Sequence, residues 1–147
     1  MVDGVTWIDD SKATNPHAAQ SSLQGYDPVV WIAGGLAKGA RFDDLVAAVR
    51  PRLRGVVLLG RDRAVIAEAL SRHAPDVPVI VVDDGETGRA RGDNPMENVV
   101  DAAARMTEPG DTVLLAPGCA SMDMFTDYGA RGDAFAAAVR RLEDDRA

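Results

Sequence analysis

The sequence predicts an α/β domain, a mostly parallel sheet flanked by helices and doubly wound in the Rossmann-like manner. Three observations predict it. Five short apolar runs are continuous rather than alternating, as expected of strands buried on both faces. Between the runs the apolar residues fall three and four apart, the spacing of helices with one buried face. Three of the helical stretches stop at proline, so the alternation of the two patterns is punctuated.

The first run is Val5-Thr6-Trp7-Ile8, and a polar stretch from Asp9 to Asn15 leads from it into a helix. The second run, Val29-Val30-Trp31-Ile32-Ala33, precedes Phe42, Leu45, Val46 and Val49, which line one helix face until Pro51. The third, Val56-Val57-Leu58-Leu59, is followed by a narrower stripe of Val65, Ile66, Ala69 and Leu70, stopped at Pro75. Val79-Ile80-Val81-Val82 is the fourth. The polar stretch Asp83 to Pro95, with three glycines and two arginines, reads as a flexible surface loop. Met96, Val99, Val100 and Ala103 then repeat the helical spacing up to Pro109-Gly110. The fifth run is Val113-Leu114-Leu115-Ala116; Phe135, Val139 and Leu142 mark a last helix, and the tail from Glu143 to Ala147 is expected to fray. Strands alternating with helices in this order pack through right-handed crossovers with helices on both faces. No internal repeat appears beyond the strand–helix units.

Composition narrows the function. The chain has 147 residues, 46% of them hydrophobic and 27% charged. A single domain of this size buries roughly two-thirds of its unfolded surface, enough for a core without staples. Its one cysteine, Cys119, rules out an intramolecular disulfide and suits a reducing compartment. No apolar run approaches the ~20 residues that span a bilayer, and the start resembles no signal peptide. A cytoplasmic location without membrane insertion is the expectation. The net charge of −7 and the scarcity of aromatic residues argue against a general nucleic-acid binder, which would be basic and offer stacking platforms.

In open α/β sheets ligands bind beyond the carboxyl ends of the strands, where loops lead into helix N-termini. The informative segments are therefore Asp9 to Asn15, Gly34 to Gly39, Gly60-Arg61-Asp62, Asp83-Asp84-Gly85 and Pro117 to Ser121. They concentrate small and charged residues, as an anionic or zwitterionic ligand requires. Gly34 to Gly39 is not G-x-G-x-x-G, and no G-x-x-x-x-G-K-[ST] occurs, so the fingerprints of a dehydrogenase and of a self-sufficient ATPase are missing. Lys38 could hold its ammonium over a backbone that ligands approach closely, or be a solvated turn lysine. Ser121 could turn its hydroxyl to a carboxylate, or simply cap a helix starting near Met122. Lys12 and Thr14 could equally belong to an ordinary turn. Cys119 among small residues reads as a buried thiol rather than a nucleophile. His17 and His73, without a partner at ligand spacing, do not form a zinc site. Arg91-Gly92-Asp93 and Arg131-Gly132-Asp133 read as chance tripeptides.

These strand-end segments, in this order, resemble the C-terminal domain of the Mur ligases, most closely the branch that adds D-glutamate. Gly4-Val5-Thr6-Trp7-Ile8 leading into Asp10-Ser11-Lys12-Ala13-Thr14-Asn15 is the opening signature. Gly34-Gly35 with Lys38, Gly60-Arg61-Asp62, Pro109-Gly110-Asp111, Pro117 with Cys119-Ala120-Ser121, Asp123, Phe125, Arg131-Gly132 and Phe135 continue it over nearly the whole chain. The resemblance implies a Mur ligase C-terminal, amino-acid-binding domain over residues 1–147. Such ligases use ATP and Mg2+ to join an amino acid to a UDP-sugar acceptor, here UDP-N-acetylmuramoyl-L-alanine, through an acyl phosphate in peptidoglycan synthesis. By position it implies that Thr14, Lys38, Ser121, the Met122 backbone and Tyr128 contact D-glutamate. Tyr128 stands where the family more often has phenylalanine. Asp10 is similar to the residue that meets the ATP ribose, and Lys12 would approach the phosphates.

The UDP-binding and central ATPase domains, with the P-loop and the magnesium ligands, are expected to lie outside this chain, which alone should not ligate. Two other readings stay open, a ligase adding another amino acid and a free-standing binding module. The Asp-Asn-Pro-Arg motif of the diamino-acid adders is absent, Asp93-Asn94-Pro95 being followed by Met96.

Overall fold

The computed structural model describes residues 4–35, 39–60, 62–82, 95–119 and 128–145. All five apolar runs become strands: β1 (Thr6–Asp9), β2 (Val29–Gly34), β3 (Leu53–Leu59), β4 (Val79–Val81) and β5 (Thr112–Leu115). The helices are α1 (Pro16–Leu23), α2 (Asp43–Val49), α3 (Arg63–His73), α4 (Pro95–Met106) and α5 (Tyr128–Asp145). A 3-10 turn at Arg50–Arg52 carries Pro51, where α2 can no longer continue.

The strands form one sheet in the order β1-β5-β2-β3-β4, parallel throughout. Given that order, the rule that crossovers are right-handed fixes the face each helix covers. The chain moves across the sheet from β1 to β2, β3 and β4, so α1, α2 and α3 cover one face. It then returns to place β5 between β1 and β2, which puts α4 on the other face, and α5 follows it there. The core accordingly divides in two. Trp31, Ala33, Val56, Leu58 and Leu114 pack against Leu23, Leu45, Val46, Val49, Ile66 and Leu70 on the first face. Val30, Ile32, Val57, Leu59, Val113 and Leu115 meet Met96, Val99, Val100, Phe135, Ala138 and Leu142 on the second. Successive residues of β2, β3 and β5 serve opposite faces, which is why their sequences are apolar without alternation.

Three details depart from the sequence expectation. Val65 is 37% exposed, because the buried stripe of α3 runs through Ile66, Ala69 and Leu70 and Val65 stands one residue off it. β4 lies at the sheet edge, so Val79 and Val81 are exposed despite their apolar run. The last helix extends into the expected tail: α5 runs to Asp145, with Leu142 buried, and Arg146 and Ala147 lie outside the described residues. The loop read between Asp83 and Pro95 lies, up to Asn94, outside the described residues.

Polar groups fix the amino end of the sheet. Asp111, almost fully buried, accepts both Arg54 Nε at 2.8 Å and Arg54 Nη2 at 3.1 Å, and also the Glu108 amide at 2.9 Å. This two-pronged pair ties the start of β3 to the turn before β5. Among the described residues no helix is long and apolar enough to cross a membrane.

Candidate functional site at the carboxyl ends of the strands

The winding of the sheet makes a topological switch at the end of β5, the place where open α/β sheets form their ligand crevice. The chain leaves β1 and β2 toward one face and leaves β5 toward the other. The loop after β1 starts by extending the sheet, the Asp10 amide donating to the Leu115 carbonyl at 2.9 Å. It then turns. The Asp9 carboxylate accepts the Ser11 amide at 3.0 Å, and the Ala13 amide donates to the Asp10 carbonyl at 2.9 Å. Asn15 ends the loop as the cap of α1, its side-chain oxygen accepting the Ala18 amide at 2.9 Å ahead of Pro16 at the first turn.

Burial alternates along this loop. Ser11 and Ala13 are buried, Asp10 and Thr14 half-buried, and Lys12 exposed. The loop is anchored by every second residue and presents a carboxylate, an ammonium and a hydroxyl from the others.

The loop after β5 is bound to its neighbours on both sides. The Gly118 amide donates to the Ala13 carbonyl at 2.7 Å, and the Gly34 amide donates to the Pro117 carbonyl at 3.1 Å. Trp31, fully buried, reaches from β2 to donate its indole N–H to the Ala116 carbonyl at 2.7 Å. The loop after β2 joins the next one through the Asp62 amide, which donates to the Gly35 carbonyl at 2.9 Å. Gly34 is obligatory in this arrangement: its φ is +130°, and a β-carbon there would run into the Leu59 carbonyl of the adjacent strand.

α5 closes the site from behind. Arg131 is 1% exposed, and its Nη2 donates to the Cys119 carbonyl at 3.0 Å and the Ser11 carbonyl at 3.4 Å. Gly132 lets the helix press on the loop after β1; a β-carbon there would stand 2.5 Å from Ser11 Oγ and 2.8 Å from Asp9 Oδ2.

Of the residues singled out in the sequence, the structure places Asp10, Lys12 and Thr14 on one short loop, hydrogen-bonded through Ala13 to the loop after β5. Lys38, Ser121 and Met122 lie outside the described residues, and Tyr128 opens α5. Cys119 is fully buried. The second Arg-Gly-Asp tripeptide has its arginine in the interior. Among the described residues no three His, Cys, Asp or Glu side chains gather to hold a metal ion. Asp10 and Lys12 do suit a nucleotide, a carboxylate for ribose hydroxyls and a cation for phosphate.

Comparison with known proteins places the chain. A family model described as the Mur ligase, glutamate ligase domain matches residues 1–119. The chain belongs to the Mur ligase family. It is 62% identical over 141 residues to the UDP-N-acetylmuramoylalanine–D-glutamate ligase of Streptomyces coelicolor, an alignment covering 96% of this chain and 29% of the relative. The same-named protein of Streptomyces avermitilis is 64% identical over 141 residues, again 96% and 29%. That of Mycolicibacterium smegmatis is 55% identical over 163 residues, 95% of this chain and 33% of the relative. The chain thus spans about a third or less of these relatives and corresponds to their C-terminal part.

Within this Mur ligase domain, sequence reasoning gave no role to Arg131 or Trp31. The signal for Arg131 was present: with Phe135, Ala138 and Leu142 it stands at i, i+4, i+7 and i+11, on the buried stripe of α5. An arginine on such a stripe must be served by buried acceptors.

Proposed function

We propose that this chain is the amino-acid-presenting part of an ATP-dependent ligase that joins D-glutamate to UDP-N-acetylmuramoyl-L-alanine in peptidoglycan synthesis. The observation that carries the reading is that relatives 53–64% identical over nearly the whole chain bear the name of that D-glutamate ligase. The crevice supports it. D-glutamate brings two carboxylates and an amine, which call for cations, hydroxyls and backbone N–H groups converging on one place. Thr14 supplies a hydroxyl at the described edge of the crevice, and Lys38, Ser121, the Met122 backbone and Tyr128 are the remaining proposed contacts. Asp10 and Lys12, four and two residues before Thr14, would face the ribose and the phosphates of ATP.

In the reaction we infer, the terminal carboxylate of the UDP-sugar substrate takes the γ-phosphoryl group of ATP and ADP leaves. The amine of D-glutamate then attacks the acyl carbon, and inorganic phosphate departs as the amide forms. This chain would orient the attacking amine by holding both carboxylates behind it, an advantage of proximity rather than of acid–base chemistry. Mg2+, which screens phosphate charge when bound, would take its protein ligands from the rest of the ligase. The charge of −7 gives the domain no general affinity for nucleic acid, and we assign the reaction to the cytoplasm.

The test is an NMR titration of the chain with D-glutamate, with L-glutamate as control. Amide shifts for the D enantiomer alone, clustered at Thr14, Lys38 and Ser121, are expected. Equal shifts for both enantiomers, or shifts elsewhere, would contradict the assignment.

A further inference from the structure

We propose that Arg131 is a positioning residue whose side chain locks the loop after β1 to the loop after β5 and so sets the spacing of the substrate-binding groups the two loops carry. The inference rests on the reading of the crevice given above. Three observations carry it. Arg131 is buried, and one nitrogen, Nη2, bridges two backbone carbonyls, Ser11 on one loop and Cys119 on the other. An arginine keeps its charge in any protein interior, so placing it here is costly unless the acceptors are fixed. The next residue is a glycine whose missing β-carbon admits Ser11 Oγ and the Asp9 carboxylate. The helix and the loop are thus fitted together at two consecutive positions. Finally, the direct bond between the loops, the Gly118 amide to the Ala13 carbonyl at 2.7 Å, is made by residues one and two positions from the two anchored carbonyls.

The consequence is functional as well as structural. Ser11 is one residue from Asp10 and Lys12 and three from Thr14, while Cys119 is two residues ahead of Ser121. Through the Ser11 and Cys119 carbonyls Arg131 fixes the backbones that lead to these contacts, and a shift of about 1 Å between such groups is enough to spoil productive binding.

The experiment compares the wild-type chain with Arg131→Met, Arg131→Lys and Gly132→Ala, and with Leu70→Ala as a control that weakens the core of the opposite face. The first readout is amide hydrogen exchange at Gly118, taken relative to Trp31 and Ile32 in the central strand. Arg131→Met and Gly132→Ala are expected to speed Gly118 exchange at least tenfold relative to those core amides. Arg131→Lys, which keeps the charge but ends short of the Nη2 position, should restore part of the protection. Leu70→Ala should leave the ratio unchanged even as overall stability falls. The second readout is the dissociation constant for D-glutamate, expected to rise about tenfold in Arg131→Met and to stay within twofold of wild type in Leu70→Ala.

An unchanged exchange ratio in Arg131→Met overturns the proposal, as does undiminished D-glutamate binding by that variant when the wild type binds. Selective release of Gly118 together with a wild type silent to D-glutamate supports the lock and removes the D-glutamate reading instead.

Discussion

Single side chains decide how the strand ends are held. Trp31 is the largest of them: its ring fills the face that α1, α2 and α3 cover, and its indole N–H serves the Ala116 carbonyl at 2.7 Å, just past the end of β5. Nothing in the apolar run Val29 to Ala33 distinguishes this tryptophan from a valine, so its polar task was not legible in the sequence. Trp31→Phe keeps most of the apolar volume and removes the donor. A buried acceptor stripped of its partner costs about 1–3 kcal/mol, and the smaller ring adds a packing loss to it. Urea unfolding is expected to show the midpoint falling with an unchanged slope. A midpoint equal to wild type would mean that the bond contributes nothing net.

At the scale of elements, the sequence carried the strands and helices well because burial is what spaced their residues. Phe42, Leu45, Val46 and Val49 were read as one face and are all buried, as are Met96, Val99, Val100 and Ala103. It carried less where position in the sheet matters. The run Val79 to Val82 looks like β2 and β3, yet among the described residues β4 has a neighbour on one side alone, a fact set by the return of the chain to β5 and not by composition. For the candidate site, Asp10, Lys12 and Thr14 could be singled out because a polar segment follows an apolar run, and the structure adds that they share one loop. Arg131 was legible only through its place on the apolar stripe of α5, since a helical arginine ordinarily reads as solvated.

Contacts between helices were also beyond reach. Asp43 at the start of α2 accepts Arg72 Nη2 at 2.8 Å and lies 3.0 Å from His73 Nε2, both at the end of α3. The Arg72 hydrogen bond, with Arg72's charge and His73 adding to it against some desolvation, holds the Asp43 carboxyl below its ordinary value of 3.8. A carboxyl depressed on folding contributes stability above its unfolded pKa and loses it as pH falls through the folded value. Wild type and Asp43→Asn should therefore differ in urea midpoint at neutral pH and converge below pH 3.8. Because Arg72 is exposed and Asp43 and His73 are only half-buried, the difference should be small and should shrink with added salt. A gap that persists at the acid end would assign the effect to something other than this carboxylate.

At the scale of the whole molecule, one topological feature makes the site: β5 is inserted between β1 and β2 and its chain exits to the opposite face. Of the described candidate groups, Asp10, Lys12 and Thr14 sit on the loop after β1, which borders that strand, and Tyr128 opens the helix α5. An acyl phosphate is open to attack by water, and an amine competes with water when the site is closed around both partners. The relatives are about three times the length of this chain, which leaves room in them for the surfaces that would face it. We therefore expect the 147-residue chain, given ATP, Mg2+, UDP-N-acetylmuramoyl-L-alanine and D-glutamate, to release no phosphate above background and to form no amide. Chromatography of the UDP-sugar pool with a coupled phosphate assay measures both. D-glutamate-dependent product from the pure chain would show that the crevice at β5 holds the complete reaction, and the division of labour argued for here would fall.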